Sequence, residues 1–227
     1  MILDFNFKLI QKVFNLRCLP TPTDVVCLGW PDLMVSEALM KEIYGERAEQ
    51  FRVENNPRSW DRKEGELFDV HAVFQYHNCN LTIIDVIKHR GVEEFLDLNE
   101  SLEENFFKRF DLVIDTGTLE HCFNVGTAFK NVCNMTKVGG VIITAAPYSR
   151  PFHGYYNFVK ETYTDGFGRN GFDILELICT VSKKMRVVPE EEFFTKIMPG
   201  QGILNCIAKK VEDKEFKWPI QRKYMEK

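Results

Sequence analysis

Residues 110–147, FDLVIDTGTLEHCFNVGTAFKNVCNMTKVGGVIITAAP, constrain the fold more than any other stretch of the chain. Two short apolar runs, 111–115 and 141–145, lack polar alternation, and an amphipathic helical pattern separates them. Strands that are apolar on both faces are covered on both faces, which is the habit of parallel strands flanked by helices. A polar Thr116-Gly117-Thr118 turn follows the first run, and Gly139-Gly140 offers a tight turn into the second. The segment therefore predicts a β-α-β unit.

The remaining chain extends the alternation. DVVCL at 24–28 ends at Gly29 and predicts the first central strand. The loop Gly29-Trp30-Pro31-Asp32 leads into a helix capped by Asp32 or, more convincingly, by Ser36, with Gly45 as its stop. Residues 46–60 are charged and irregular. Asp61 and Glu64 then resemble a capping pair ahead of a helical pattern of Leu67, Val70, Val73, Phe74 and His77. LTIIDV at 81–86 and EFLDL at 94–98 predict the second and third strands, with Asp85 and Asp97 near their carboxyl ends. A helix is expected at 160–167, ended by Gly168 and Gly171, and strands at 172–181 and 202–209, whose charged connector leaves an antiparallel pairing open. Residues 2–16 fit both strand and helix spacing. Strands alternating with helices throughout argue a doubly wound α/β domain.

At 227 residues and 44% hydrophobic content the chain can bury a sizeable core, and no linker, repeat or low-complexity tract divides it. A single domain, 1–227, is the expectation. Within it residues 1–22 form an N-terminal packing or lid segment, 46–80 an insertion between the first and second strands, and 211–227 a solvated tail. A net charge of -4 gives no general attraction to nucleic acid or anionic membrane. Seven scattered cysteines without a C-x-x-C pair read as free thiols of a reducing cytosol, so neither disulfides nor a metal site is expected. With no secretory signal and no run long enough to span a bilayer, a cytoplasmic location is expected.

In an open parallel sheet, ligands gather at the carboxyl ends of the strands. Those ends carry Gly29, Asp85, Asp97 with Leu98, and 115–118. A glycine and several carboxylates suit a nucleoside: the glycine permits close backbone approach, and a carboxylate accepts from vicinal ribose hydroxyls. A sulfonium ion also favours nearby negative charge.

The order DVVCLG, LTIID, FLDL, FDLVIDTGTLEH and KVGGVIITAAP resembles the class I S-adenosylmethionine-dependent methyltransferases over residues 23–210. The resemblance implies a Rossmann-like, mostly parallel, seven-stranded sheet whose last strand is antiparallel. It also implies S-adenosylmethionine as cofactor and methyl transfer to an oxygen or nitrogen of a small molecule, such as a sugar or other metabolite. Carried over by position, it makes Gly29 the glycine beside the methionine part of the cofactor. Asp85 becomes the ribose carboxylate and Asp97 with Leu98 the adenine-edge pair, while Asp115, Thr116 and Gly117 line the floor near the methyl group. Each has a plain structural reading beside it: a turn glycine, a strand-end carboxylate capping nearby amides, ordinary turn chemistry. The chain departs from the family in the first loop, where only Gly29 remains of the usual G-x-G-x-G and Trp30-Pro31 are bulky and stiff.

Methyl transfer to oxygen or nitrogen benefits from a base, and His121, beside Glu120 just past the fourth strand, can titrate near neutral pH. His153 is a second base candidate, in the aromatic loop 147–158, whose Tyr155, Tyr156 and Asn157 read as substrate wall or lid. Arg58 and Trp60 are candidates to close the site on an anionic substrate group. The plain readings are a first-turn helix pair for Glu120 and His121, and an aromatic plug or oligomer contact for the loop. A non-catalytic, Rossmann-like nucleoside-binding or scaffold protein is the alternative function. A nicotinamide oxidoreductase would want G-x-G-x-x-G after the first strand, which is missing.

Overall fold

The structure is a computed structural model that describes residues 1–53, 67–88, 90–150, 153–181, 186–188 and 202–225. It divides into two compact units, Met1–Asp97 and Leu98–Lys227.

The first unit opens with β1 (Ile2–Leu3) running into α1 (Asp4–Asn15). Helical spacing wins over the alternation of residues 3–9 because Phe7, Ile10 and Val13 then lie on one face, and all three are fully buried. β2 (Thr23–Leu28) and β3 (Leu33–Met34) precede α2 (Glu37–Tyr44). Ser36 is the N-cap of α2, its hydroxyl accepting from the Leu39 amide at 3.3 Å. Asp4 fixes that cap in turn, accepting from the Ser36 amide at 2.6 Å and hydroxyl at 2.7 Å. β4 (Arg52–Val53), β5 (Leu67–Phe68), α3 (Val70–Tyr76), β6 (Cys79–Asp85) and β7 (Glu94–Phe95) complete the unit. β2, β6 and β7 pair in parallel, with Leu28 opposite Ile84 and Ile84 opposite Glu94. A small separate sheet has the order β1-β3-β5-β4. The expected capping pair Asp61 and Glu64 lies outside the described residues. The cap of α3 is Asp69, which accepts from the amides of His71 (2.8 Å) and Ala72 (3.1 Å), so Leu67 and Phe68 belong to a strand rather than to the helix.

The three helices of this unit meet around His77. Its Nε2 lies 2.8 Å from the Tyr44 hydroxyl and 3.4 Å from the Gln11 side-chain nitrogen, its ring stacks on Phe14 at 4.5 Å, and Tyr76 lies edge-on at 5.3 Å. Burial holds the imidazole below its ordinary pKa. The unfolded chain therefore takes up a proton at about 6.5 that the folded chain resists. Stability from this site is complete above that pH and falls as pH drops below it. The expected result is that the wild-type denaturation midpoint declines between about pH 6.5 and 5 more steeply than that of His77→Gln. Parallel curves would remove His77 as the cause.

The second unit contains β8 (Phe110–Asp115), α4 (Val125–Met135), β9 (Thr136–Ser149), α5 (Lys160–Arg169), β10 (Phe172–Val181), β11 (Arg186–Val188) and β12 (Gly202–Lys210). β8 and β9 are parallel, and the residues joining them include α4, so the predicted β-α-β unit is present. β12, the last strand, runs antiparallel to both neighbours, β9 and β10. β11 adds an antiparallel hairpin partner to β10. Fully buried Leu112, Val113, Ile142, Ile143, Leu204 and Cys206 explain the absence of polar alternation in these strands.

Gly139-Gly140 lies inside β9 rather than before it. Pairing passes from Phe110 opposite Thr136 to Leu112 opposite Val141, so the glycines occupy a bulge. A Cβ on Gly140 would stand 2.9 Å from the Lys137 carbonyl oxygen and 3.0 Å from that of Asp111. The C-terminal stretch is also more than a solvated tail. Asn170 accepts from the Lys217 amide at 2.7 Å and donates to its carbonyl at 3.0 Å, pinning the stretch to the end of α5. All seven cysteines are free thiols, and among the described residues no helix is long and apolar enough to cross a membrane.

Candidate active site

In the first unit Gly29 follows β2 with φ 73°, a left-handed conformation, and its amide donates to the Ile84 carbonyl at 2.8 Å. Asp85, the last residue of β6, accepts from the Trp30 amide at 3.2 Å through Oδ2 and from the Ile87 amide at 3.0 Å through Oδ1. It thus performs the structural task foreseen for a strand-end carboxylate, and it holds the Trp30 loop in place. Arg90, which the sequence reading did not single out, lies over the Trp30 ring at 5.0 Å, with its guanidinium 3.7 Å from the buried Asp32 carboxylate. α2 begins beyond Ser36, so its positive end is displaced along the chain from Gly29. Asp97 follows β7 and is half-buried.

In the second unit Leu98 is buried, and its carbonyl accepts from the Asn131 side-chain amide at 3.1 Å. The same nitrogen reaches the Glu100 carbonyl at 2.8 Å. Asn131 was missed because one polar residue in a helix pattern gives no hint that it faces inward.

Asp115 ends β8 with no solvent exposure. Oδ1 accepts from the amides of Thr118 (2.9 Å) and Leu119 (3.4 Å), and Oδ2 accepts from the Thr144 hydroxyl at 2.7 Å. Burial raises its pKa, opposed by these bonds. Asp115 is thus a pin between β8, β9 and the turn, with Thr116 and Gly117 half-buried beside it. That turn leads into one turn of 3-10 helix, Leu119–His121, rather than directly into α4.

Glu120 is 1% exposed. Its Oε1 lies 3.4 Å from His153 Nε2 and 3.9 Å from His121 Nε2, and the two imidazole rings are 5.0 Å apart. Oε2 is buried without a hydrogen-bond partner among the described residues. Burial, reinforced by the Asp115 charge, pushes the Glu120 carboxyl up to about 8, and burial lowers both imidazoles. The aromatic loop therefore packs on the turn after β8, as amides of Tyr155 (2.8 Å) and Tyr156 (3.4 Å) donate to the Glu120 carbonyl. Tyr156 is tied by its hydroxyl to the Phe123 carbonyl at 2.8 Å, and the Asn157 side chain accepts from the Arg150 amide at 3.0 Å. Tyr155 is 65% exposed and meets Phe123 edge-on. Arg58 and Trp60 lie outside the described residues.

Gly154 is what permits this packing. Its φ is 67°, and a Cβ there would stand 2.8 Å from the Glu120 carbonyl oxygen. Gly154→Ala is expected to cost about 1–2 kcal/mol from the left-handed backbone alone, with a further penalty from the clash. The loss should appear in chemical denaturation. A change below about 0.5 kcal/mol, the size of an ordinary surface substitution, would contradict the close approach.

No protein-family model and no curated protein matches the chain. Solved structures do. The Burkholderia thailandensis 1,6-didemethyltoxoflavin-N1-methyltransferase, solved with bound 1,6-didemethyltoxoflavin and S-adenosylhomocysteine, aligns over 88% of this chain and 76% of its own, with 13% identity and a TM-score of 0.50. A methyltransferase candidate from Bacillus halodurans aligns over 89% of this chain and 99% of its own, with 13% identity and a TM-score of 0.51. The chain has the class I S-adenosylmethionine-dependent methyltransferase fold. The doubly wound, mostly parallel α/β architecture read from the sequence is thereby borne out, including the antiparallel last strand, β12. A third match, in the Haloferax volcanii complex of the Trm112 methyltransferase activator with a methyltransferase candidate, has 12% identity, a TM-score of 0.51 and 89% coverage of both chains. At such identities the likeness carries the fold and leaves the chemistry to the residues.

Proposed function

We propose that the chain is an S-adenosylmethionine-dependent methyltransferase acting on an oxygen or nitrogen of a small molecule, such as a sugar or other metabolite. The observation that carries the proposal is the class I methyltransferase fold with carboxylates at its strand ends, Asp85 closing β6 and Asp97 just past β7. In this reading Gly29 lets the backbone approach the methionine part of the cofactor. Asp85 accepts from the ribose hydroxyls, and Asp97 with Leu98 reads the adenine edge. Thr116 and Gly117 flank the methyl group, with Asp115 holding their turn in place.

The reaction is an in-line displacement in which the acceptor atom bonds to the methyl carbon as the carbon–sulfur bond breaks and the sulfonium becomes a thioether. The protein's main task is to align the two atoms and exclude water. The acceptor's proton leaves to a base, for which His121 and His153 stand beside Glu120. Tyr155, Tyr156, Asn157, Arg58 and Trp60 are assigned to the acceptor's surroundings. Partners other than the small molecule, whether nucleic acid or membrane, are not part of the reading, and a cytoplasmic setting is.

Calorimetry with S-adenosylmethionine and S-adenosylhomocysteine tests the proposal, and binding of both is expected. Failure of either to bind at millimolar concentration would refute it. The Asp85 carboxylate, engaged by the Trp30 amide, favours one second reading: a nucleoside-binding or scaffold relative that has lost transfer. Binding of the nucleoside product without turnover of any acceptor would select that reading.

A further inference from the structure

We propose that Glu120, His121 and His153 form a binding site for a divalent transition-metal ion, held by the Glu120 carboxylate and two imidazole nitrogens. The three donor atoms lie within 4.8 Å of one another, on a turn and a loop stitched together through the Glu120 carbonyl. Metal–ligand bonds of about 2.0–2.2 Å place neighbouring donors about 3.0–3.5 Å apart. The Glu120–His153 separation of 3.4 Å already meets that spacing, and the 3.9 Å to His121 misses it by a few tenths of an ångström. The His121 side chain is 49% exposed, so it can move inward without displacing the core.

A second, independent observation points to a cation. The side chain of Glu120 is almost completely buried, yet its Oε2 has no hydrogen-bond partner among the described residues. An unpaired buried carboxylate oxygen is costly, and a cation bound by both oxygens of the Glu120 carboxylate removes the cost. Gly117 and Gly154 lie against Glu120: a Cβ on Gly117 would stand 3.2 Å from its Oε1, and one on Gly154 2.9 Å from its Cγ.

Two imidazoles and a carboxylate suit Mn²⁺, Fe²⁺, Co²⁺ or Zn²⁺ better than Mg²⁺ or Ca²⁺, which prefer oxygen. Three protein ligands leave at least one position open. An acceptor hydroxyl bound there would be acidified by the metal and would pass its proton to solvent water, since either histidine, engaged as a ligand, could no longer take it. That role rests on the methyl-transfer reading, whereas metal binding itself does not.

The test uses the full-length, untagged chain, stripped with chelator and titrated with Co²⁺ without S-adenosylmethionine. The expected result is one equivalent bound, with visible d–d absorption in the range of nitrogen- and oxygen-ligated Co²⁺. Competition by Zn²⁺ should bleach it. His153→Asn and His121→Asn should each weaken binding at least tenfold while circular dichroism stays unchanged. A folded wild-type chain that binds no Co²⁺ at 1 mM (about −4 kcal/mol) overturns the proposal, whatever the variants do. Undiminished binding in the doubly substituted chain overturns it equally. Because the readout needs no methyl donor, failure to bind S-adenosylmethionine would leave it standing.

Discussion

Asp115→Ala is expected to destabilise the protein by about 3–5 kcal/mol, the largest loss foreseen for any single side chain near the site. The carboxylate accepts from the Thr118 and Leu119 amides and the Thr144 hydroxyl, with no exposure to water. Alanine would strand these donors in a dry interior, at about 1–3 kcal/mol for each one left unsatisfied. Asp115→Asn separates this account from a simple packing defect. Its oxygen can still accept from the amides, while its NH₂ can donate to the Thr144 oxygen, whose proton can turn to the Tyr163 hydroxyl 3.3 Å away. The asparagine variant should therefore lose only about 1 kcal/mol. Urea denaturation of both variants makes the comparison. Equal losses would show that charge or side-chain volume, rather than the hydrogen bonds, is what position 115 supplies.

Position 115 also shows where sequence reading succeeds and where it stops. The strand 110–115, the helix after it and the strand containing 141–145 were legible because burial on both faces leaves a continuous apolar run, a local signal. Ser36 and Gly45 were legible for the same reason, since capping acts over three or four residues. Asp69 was overlooked because Leu67 was counted into the helical pattern, and only the pairing of Leu67 with Val53 and of Phe68 with Leu33 and Arg52 shows that these two residues are strand. Gly139-Gly140 had the right composition for a turn. The bulge it forms depends on register against Phe110 and Leu112, which no local pattern encodes.

The site followed the same rule. His121 and His153 were each singled out from local chemistry, one beside a strand end and the other in an aromatic loop. That they face the same buried carboxylate is a tertiary fact, created by the Tyr155 amide reaching the Glu120 carbonyl. Glu120 itself was read as an acceptor-side or helix-end residue, because an exposed and a buried glutamate are written identically in a sequence. Arg90 over Trp30 and Asn131 behind Leu98 were invisible for the same reason.

Asp85→Asn is expected to weaken binding of S-adenosylmethionine and S-adenosylhomocysteine by about 100-fold each. A carboxylate oxygen has two lone-pair directions, so Asp85 can keep the Trp30 and Ile87 amides and still accept from two ribose hydroxyls. Hydrogen bonds to a charged acceptor contribute about 1.5–3 kcal/mol each. The asparagine keeps one oxygen and turns the other into a donor, so at least one ribose bond and one loop bond are lost. A net loss near 2.7 kcal/mol corresponds to the hundredfold change. The two ligands share the ribose and differ in the sulfonium charge, which makes their comparison the decisive part of the measurement. Equal weakening locates Asp85 at the ribose. Loss confined to S-adenosylmethionine would instead show that the carboxylate acts through its charge on the sulfonium. If both affinities are unchanged while stability falls by about 1 kcal/mol, Asp85 serves only the Trp30 loop, and the nucleoside would have to be held by Asp97 and Leu98 without it.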